Sequence, residues 1–473
     1  MATFPDWDGM EKPELTLCAA DYSLLTDLYQ LTMAACYTGE GIEQRRASFE
    51  LFVRRLPENF GYLIAMGLEQ VLAYLANFRF NPDQIKALQG TGIFAHASEH
   101  LRCAEGDRFW SLLTEGCFTG DVWAVPEGTA VFANQPLLRV EAPLWQAQLV
   151  ETYILNTINY QTLVATRAAR IRDVAGAEAQ LLEFGTRRAF SPQASLWAAR
   201  AGLAGGLNST SNVLAALQLG EQPSGTMAHA LVMALSAMAG SEEQAFTAFH
   251  QYFPGAPLLI DTYDTIAAAK QLAAKVNAGE MELTGVRLDS GDLITLSKQV
   301  RSLLPNVSIF ASGDLDEWEI AKLKAADAQI DGYGLGTRLV TGAPVNGVYK
   351  LVEIDGIPVM KQSTSKMSYP GRKQIFRSFA GGQVKADKLA LVDESNVLGS
   401  PLLQLVVKNG EPLHPPESLQ DIRQRTAASV ASLPPETRRL DDPVGVEVEI
   451  STQLQELISK TNKRTAEAQR TQR

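Results

Sequence analysis

One of the chain's five histidines stands in unusual company: His229 follows Gly225 and Thr226 in PSGTMAHALVMAL and precedes a wholly apolar run. An imidazole beside small residues and a hydroxyl can accept a proton or a phosphoryl group, whereas the same ring on a buried helix face only packs. The neighbouring motifs bear on that choice. LLIDTYDT contributes Asp261 and Asp264, and GVRLDSGD contributes Arg287, Asp289 and Asp292. Carboxylates so placed can bind magnesium through oxygen, grip sugar hydroxyls or stabilise positive charge on a sugar carbon, and each can equally cap a helix. IFASGDLDEW brings Ser312, Gly313 and Asp314 together, and DGYGLGTRLVTG adds Gly332, Gly334, Gly336 and Thr337. Small residues let backbone amides approach an anion closely, which is how late loops of α/β barrels hold phosphate. The same glycines are not a dinucleotide fingerprint, because Leu339 stands where a third small residue is required. EFGTRRAFSP supplies Phe184, a ring able to stack on a flat heterocycle, beside the guanidinium forks of Arg187 and Arg188. No Ser-His-Asp or Cys-His set accompanies them. The combination suits group transfer from a phosphorylated sugar to a flat, negatively charged ring.

These residues must be held by elements, and their spacing says which. From about residue 180 the chain repeats short apolar runs that end in Gly, Asp, Ser or Thr clusters before a helical pattern. Thr186, Asn208, His229, Asp261, Asp289, Asp314 and Gly336 follow one another at intervals of 22, 21, 32, 28, 25 and 22 positions. Each interval fits a parallel strand with a crossover helix. Seven such units predict a closed or nearly closed, irregular parallel α/β barrel resembling a TIM barrel, with all seven clusters on one rim. His229 is then expected at a strand's carboxyl end, facing the site.

The rest divides around that barrel. Residues 1–140 mix helical patterns with strand-like pieces such as RRASFELFVRRL and predict a smaller α/β module; the barrel spans 141–345, beginning with a long amphipathic helix. Residues 346–450 include a hairpin in GVYKLVEIDGIPVMKQS and a strand in SKMSYPGRKQIFR, expected to return to the small module or cover the rim. The tail, 451–473, is expected to be frayed.

Composition excludes several classes. The chain has 473 residues, 42 basic against 53 acidic, for a formal charge of −11, so it repels phosphate backbones as a whole and no nucleic-acid partner is expected. Residues 222–241 are uncharged but carry Pro, Gly, Ser, Thr and His, and the N-terminus lacks a basic, apolar leader; a protein of the cytoplasm, without a membrane partner, is expected. Cys18, Cys36, Cys103 and Cys117 show no CxxC spacing. His96 and His100 in FAHASEH can share a helix face, as metal ligands do, but no third histidine joins them.

LLTDLYQLTM (24–33), EFGTRRAFSP (183–192), SGTMAHA (224–230), IDTYDT (260–265), GVRLDSGD (285–292), GYGLGT (332–337) and YPGRKQIFR (369–377) resemble, in order, the motifs of the nicotinate phosphoribosyltransferase family. The resemblance implies a type II phosphoribosyltransferase: a small α/β sandwich domain formed by N- and C-terminal segments, an irregular α/β barrel, and a homodimer with shared sites. The implied reaction joins nicotinate to 5-phosphoribosyl 1-pyrophosphate, with ATP as co-substrate and magnesium as cofactor, through a phosphorylated His229. By the same resemblance Asp289 and Asp261 serve the ribose and magnesium, and Phe184 and Tyr29, the latter from the partner subunit, sandwich the ring. Arg187 and Arg287 bind carboxylate or phosphate, Thr226 holds substrate, and Ser312, Gly313, Asp314, Gly334, Gly336 and Thr337 receive the 5-phosphate end. The related nicotinamide-using enzyme carries an aspartate in the loop matching LNSTSN, where this chain has Ser211 and no carboxylate. That difference favours the acid over the amide. The alternatives are a nicotinamide or quinolinate phosphoribosyltransferase, or a non-catalytic nucleotide-binding relic; the last would show damage at His229, Arg287 or Asp289, and none is seen.

Overall fold

Six short parallel strands carry most of the motifs. In the computed structural model, which describes residues 15–94, 106–363 and 366–471, they lie in the spatial order Ser209–Thr210, Gln180–Glu183, Gly332–Leu335, Ser308–Ala311, Gly285–Leu288 and Leu258–Leu259. His96, His100 and Cys103 fall outside the described residues. A helix follows each strand, as the repeated pattern predicts: Pro192–Ala204, Val213–Leu219, Thr265–Asn277, Leu293–Leu303, Glu317–Ala325 and the single turn Thr337–Val340.

The expected TIM-like closure is not found. The first and last strands of the order, Ser209–Thr210 and Leu258–Leu259, do not pair, and no strand forms between the helix Val213–Leu219 and His229. The sheet is a parallel array with one gap. Residues 223–228 lie across it as extended chain: the Ser224 amide donates to the Thr210 carbonyl at 2.9 Å, and the Thr226 hydroxyl donates to the Pro257 carbonyl. Ser-Gly-Thr lacks the β-branched and aromatic residues that would fix a ladder there. His229 therefore sits not at a strand end but at the first position of the helix His229–Ala239.

A second sheet, antiparallel throughout, joins distant parts of the sequence. Its order is Ile357–Pro358, Gly347–Ile354, Arg46–Val53, Pro136–Pro143, Asp121–Ala124, Gln404–Lys408 and Glu411–Pro412. The hairpin expected near residue 355 is present, turning at Asp355 and Gly356, both with positive φ. The strand expected in the Tyr-Pro-Gly-Arg-Lys motif is Lys373–Ala380, which pairs with Gln383–Leu391.

Between the two sheets runs the helix Glu151–Ala175, separated from Leu144–Leu149 at Val150. The sequence predicts one amphipathic helix. Instead it is buried over most of its surface, packed against Pro192–Ala204 and Glu317–Ala325 on one side and the Gly347–Ile354 strand on another. The 451–473 segment, expected to fray, is helical over Thr452–Thr471, with Leu454 fully buried. Among the described residues no helix is long and apolar enough to cross a membrane.

Candidate active site

The carboxyl ends of the parallel strands surround a cavity of about 780 Å³. Its wall takes Phe184 and Arg187 from the loop after Gln180–Glu183, Ser211 from the next loop, and Thr226 and His229 from the gap-spanning segment. Arg287 and Asp289 come from the end of Gly285–Leu288, Ser312, Gly313 and Asp314 from the loop after Ser308–Ala311, Gly334 from the strand Gly332–Leu335, and Gly336 and Thr337 from the turn that follows it. A second cavity, of about 340 Å³, lies inside the strand array and meets the first at Phe184, Gly225, Thr226, Arg287 and Gly334. The interior of the array is thus partly open, unlike the packed core of a closed barrel.

His229 faces this space. Its side chain is 39% exposed, with Nε2 3.9 Å from Asp289 Oδ2 and Nδ1 3.0 Å from the Thr262 hydroxyl. Asp289 is held on its other oxygen by the Ser312 hydroxyl. Behind it, Asp261 Oδ2 accepts the Asp289 amide at 2.9 Å and the Ser290 hydroxyl at 2.7 Å. Asp261 Oδ1 is buried without a hydrogen-bond partner, so this carboxylate retains capacity for a cation. Asp261 does not line the rim cavity itself; it stands behind Asp289. Gly313 has φ +98°, and a Cβ there would meet the Asp289 carbonyl, so the loop can pass so close to Asp289 only as glycine.

The ring side of the cavity is equally fixed. A Cβ on Gly334 would lie 2.6 Å from the Phe184 ring, so the absence of a side chain is what seats that ring. The Arg287 guanidinium stands 5.8 Å from its centroid and donates from Nη2 to the Met227 carbonyl at 3.1 Å. Burial holds the Arg287 pKa below the ordinary guanidinium value, and Arg187 nearby pushes the same way, while Asp289 and Asp261 oppose the shift. The guanidinium is charged throughout, with its Nε buried and unpartnered. An anionic ligand is the natural complement to that group.

The paired aspartates separate by role. Asp264 accepts from the Ile266 and Ala267 amides and Asp292 from Ile294 and Thr295, so both cap helices, whereas Asp289 lines the cavity and Asp261 holds the Asp289 backbone from behind. Tyr29, at the start of the helix Leu28–Gly39, is 49% exposed and does not reach this cavity in its own chain. Thr262, Ser290 and the Met227 carbonyl belong to the site's surroundings and were not singled out by sequence. Thr262 and Ser290 had a readable signal, each following a site aspartate directly. Among the described residues no group of three or more His, Cys, Asp or Glu side chains forms a ready metal cage.

Comparison with known proteins is consistent along the chain. Family models match over residues 24–159 (nicotinate phosphoribosyltransferase N-terminal domain), 179–310 (nicotinate phosphoribosyltransferase family) and 396–458 (nicotinate phosphoribosyltransferase C-terminal domain). A nicotinate phosphoribosyltransferase of Mycobacterium tuberculosis is 42% identical over 92% of this chain and 94% of its own length. One from Bacillus subtilis is 38% identical over 91% and 93%. The crystal structure of human nicotinic acid phosphoribosyltransferase superposes with a TM-score of 0.76 at 31% identity, covering 92% of this chain and 99% of that one.

Proposed function

Because the chain belongs to the nicotinate phosphoribosyltransferase family, we propose that its rim cavity joins nicotinate to 5-phosphoribosyl 1-pyrophosphate, yielding nicotinate mononucleotide and pyrophosphate for NAD salvage, with ATP hydrolysis coupled through phosphorylation of His229. The observation that carries this reading is the convergence of His229, Asp289 and the Ser312–Asp314 loop with Phe184 and Arg187 in one cavity.

The pyridine ring lies against Phe184, with its carboxylate toward Arg187 or Arg287, and Ser211 leaves that end free of negative charge. The 5-phosphate end lies among Gly313, Asp314, Gly336 and Thr337, where small residues admit it closely. As the C1–O bond to pyrophosphate breaks, its electron pair leaves with pyrophosphate and positive charge grows on the ribosyl carbon. Asp289, fixed by Ser312, faces that charge, and the ring nitrogen's lone pair then forms the new bond.

Asp261, through its unpartnered oxygen, and the neighbouring Asp289 carboxylate would hold magnesium. When bound, it would offset charge on the departing pyrophosphate. At His229, Nδ1–H donates a hydrogen bond to the Thr262 hydroxyl, leaving Nε2 with the lone pair that attacks the terminal phosphorus of ATP as ADP departs.

In a homodimer with shared sites, a second copy brings Tyr29 to the open face of the ring. Exposed Leu25 and Leu28 beside Tyr29 supply an apolar surface for that contact. The reaction is assigned to the cytoplasm, in keeping with free thiols at Cys18, Cys36 and Cys117.

Protein incubated with terminally labelled ATP should acquire acid-labile label, and His229→Ala protein should acquire none while still forming nicotinate mononucleotide slowly. Equal labelling of the two proteins would remove His229 from the mechanism.

A further inference from the structure

Glu183 is the most buried carboxyl group near the site and touches none of the cavity. It ends the strand Gln180–Glu183, is 1% exposed, and forms no ion pair among the described residues. A carboxyl group withdrawn from water without a cation is costly, and burial holds its pKa above the ordinary glutamate value. Both oxygens are nevertheless occupied. Oε1 accepts the Gly185 amide, and Oε2 accepts the Thr210 hydroxyl at 2.5 Å. The Thr210 oxygen in turn accepts the Asn212 amide at 2.9 Å, while the Glu183 carbonyl accepts the Ser211 amide at 2.9 Å.

We propose that Glu183 is a positioning residue for the pyridine half of the site: its carboxyl group ties the loop bearing Phe184 and Arg187 to the loop bearing Ser211. One side chain thereby fixes the separation of two walls that must close on a flat ring and its carboxylate. The inference rests on the placement of nicotinate between those loops. Gly185 lies close above the carboxyl, where a Cβ would stand 2.8 Å from Oε1, so the loop is drawn down onto Glu183 with little slack. The 5-phosphate loops, at Gly313 and Gly336, make none of these hydrogen bonds.

Glu183→Gln keeps the shape and one acceptor but turns an NH2 toward Thr210, leaving the threonine proton without its acceptor. Thr210→Val removes the same link from the other side and, with it, the acceptor of the Asn212 amide, so it is the poorer single variant. Each variant should raise KM for nicotinate about tenfold, the scale of one lost buried hydrogen bond, with KM for 5-phosphoribosyl 1-pyrophosphate changed less than about twofold. The double variant should be no worse than the poorer single one, because both break one link. Glu183→Asp, which retains two acceptor oxygens, should recover part of the loss. A rise of both KM values together, or an additive double variant, would reduce Glu183 to a general stabiliser and overturn the proposal. Arg187→Ala and Arg287→Ala test the underlying placement separately. If neither raises KM for nicotinate, the placement of the ring fails; if either raises it while the Glu183 variants do not, the positioning role alone fails.

Discussion

Asp289 has two neighbours through which it can act, and their geometry separates its roles. Toward His229 the separation is 3.9 Å, and the side chains are 39% and 38% exposed. At that distance and exposure, any influence of the carboxylate on the imidazole is limited to about 1 kcal/mol, or roughly fivefold in an equilibrium. Toward the ribosyl carbon, a carboxylate oriented in advance by Ser312 inside a substrate-filled cavity contributes about 3 kcal/mol, or roughly 150-fold in rate. Asn at position 289 keeps the size and still accepts from Ser312, so the cavity retains its shape. Asp289→Asn should then lower kcat for nicotinate mononucleotide formation without ATP about 150-fold, with KM for 5-phosphoribosyl 1-pyrophosphate moving only a few-fold. Phosphate uptake from ATP should slow about fivefold. The assay is single-turnover formation of labelled nucleotide beside a rapid-quench measurement of acid-labile phosphate on the same preparation. Equal loss in both reactions, or a larger loss in phosphate uptake, would show that Asp289 acts through the imidazole and would refute the assignment to the sugar.

Two further substitutions probe the ring side. Ser211→Asp introduces a carboxylate facing a ligand carboxylate, so the ratio of kcat/KM for nicotinate to that for nicotinamide should fall at least about tenfold, and an unchanged ratio would detach this loop from acid recognition. Gly334→Ala places a methyl group 2.6 Å from the Phe184 ring, which must move aside. Overpacking of this kind costs about 1–3 kcal/mol, so the melting temperature should fall and KM for nicotinate should rise; a variant that melts and binds as the parent does would show that the ring is free to shift.

The rim loops were legible because each unit repeats an apolar strand, a small-residue cluster and a helix, and the structure brings six of the seven clusters to one cavity, the Asp261 cluster standing behind its wall. The aspartate pairs were legible only in part. In Asp261–Asp264 and Asp289–Asp292 the first member ends a strand and the second begins a helix, and sequence types alone do not say which one turns inward. The missing seventh strand was illegible for a different reason: its interval of chain matched the others, but Ser224, Gly225 and Thr226 leave too few side chains to hold a ladder. Glu183 carried a signal that went unused, a carboxylate inside the apolar run of LLEF. Tyr29 could not be placed by periodicity, because its helix belongs to the other sheet's core.

The segment that carries the imidazole is moored rather than woven. A central strand cannot shift without rupturing a whole ladder, whereas residues 223–228 are fastened through Ser224, Thr226 and the Met227 carbonyl, the last to Arg287. Loosening these few ties would leave the six-stranded scaffold standing, so the segment that leads into His229 is held by separate hydrogen bonds where its neighbours are held by ladders. The break in the sheet thus leaves one stave of the cask pegged in place while the others are joined edge to edge.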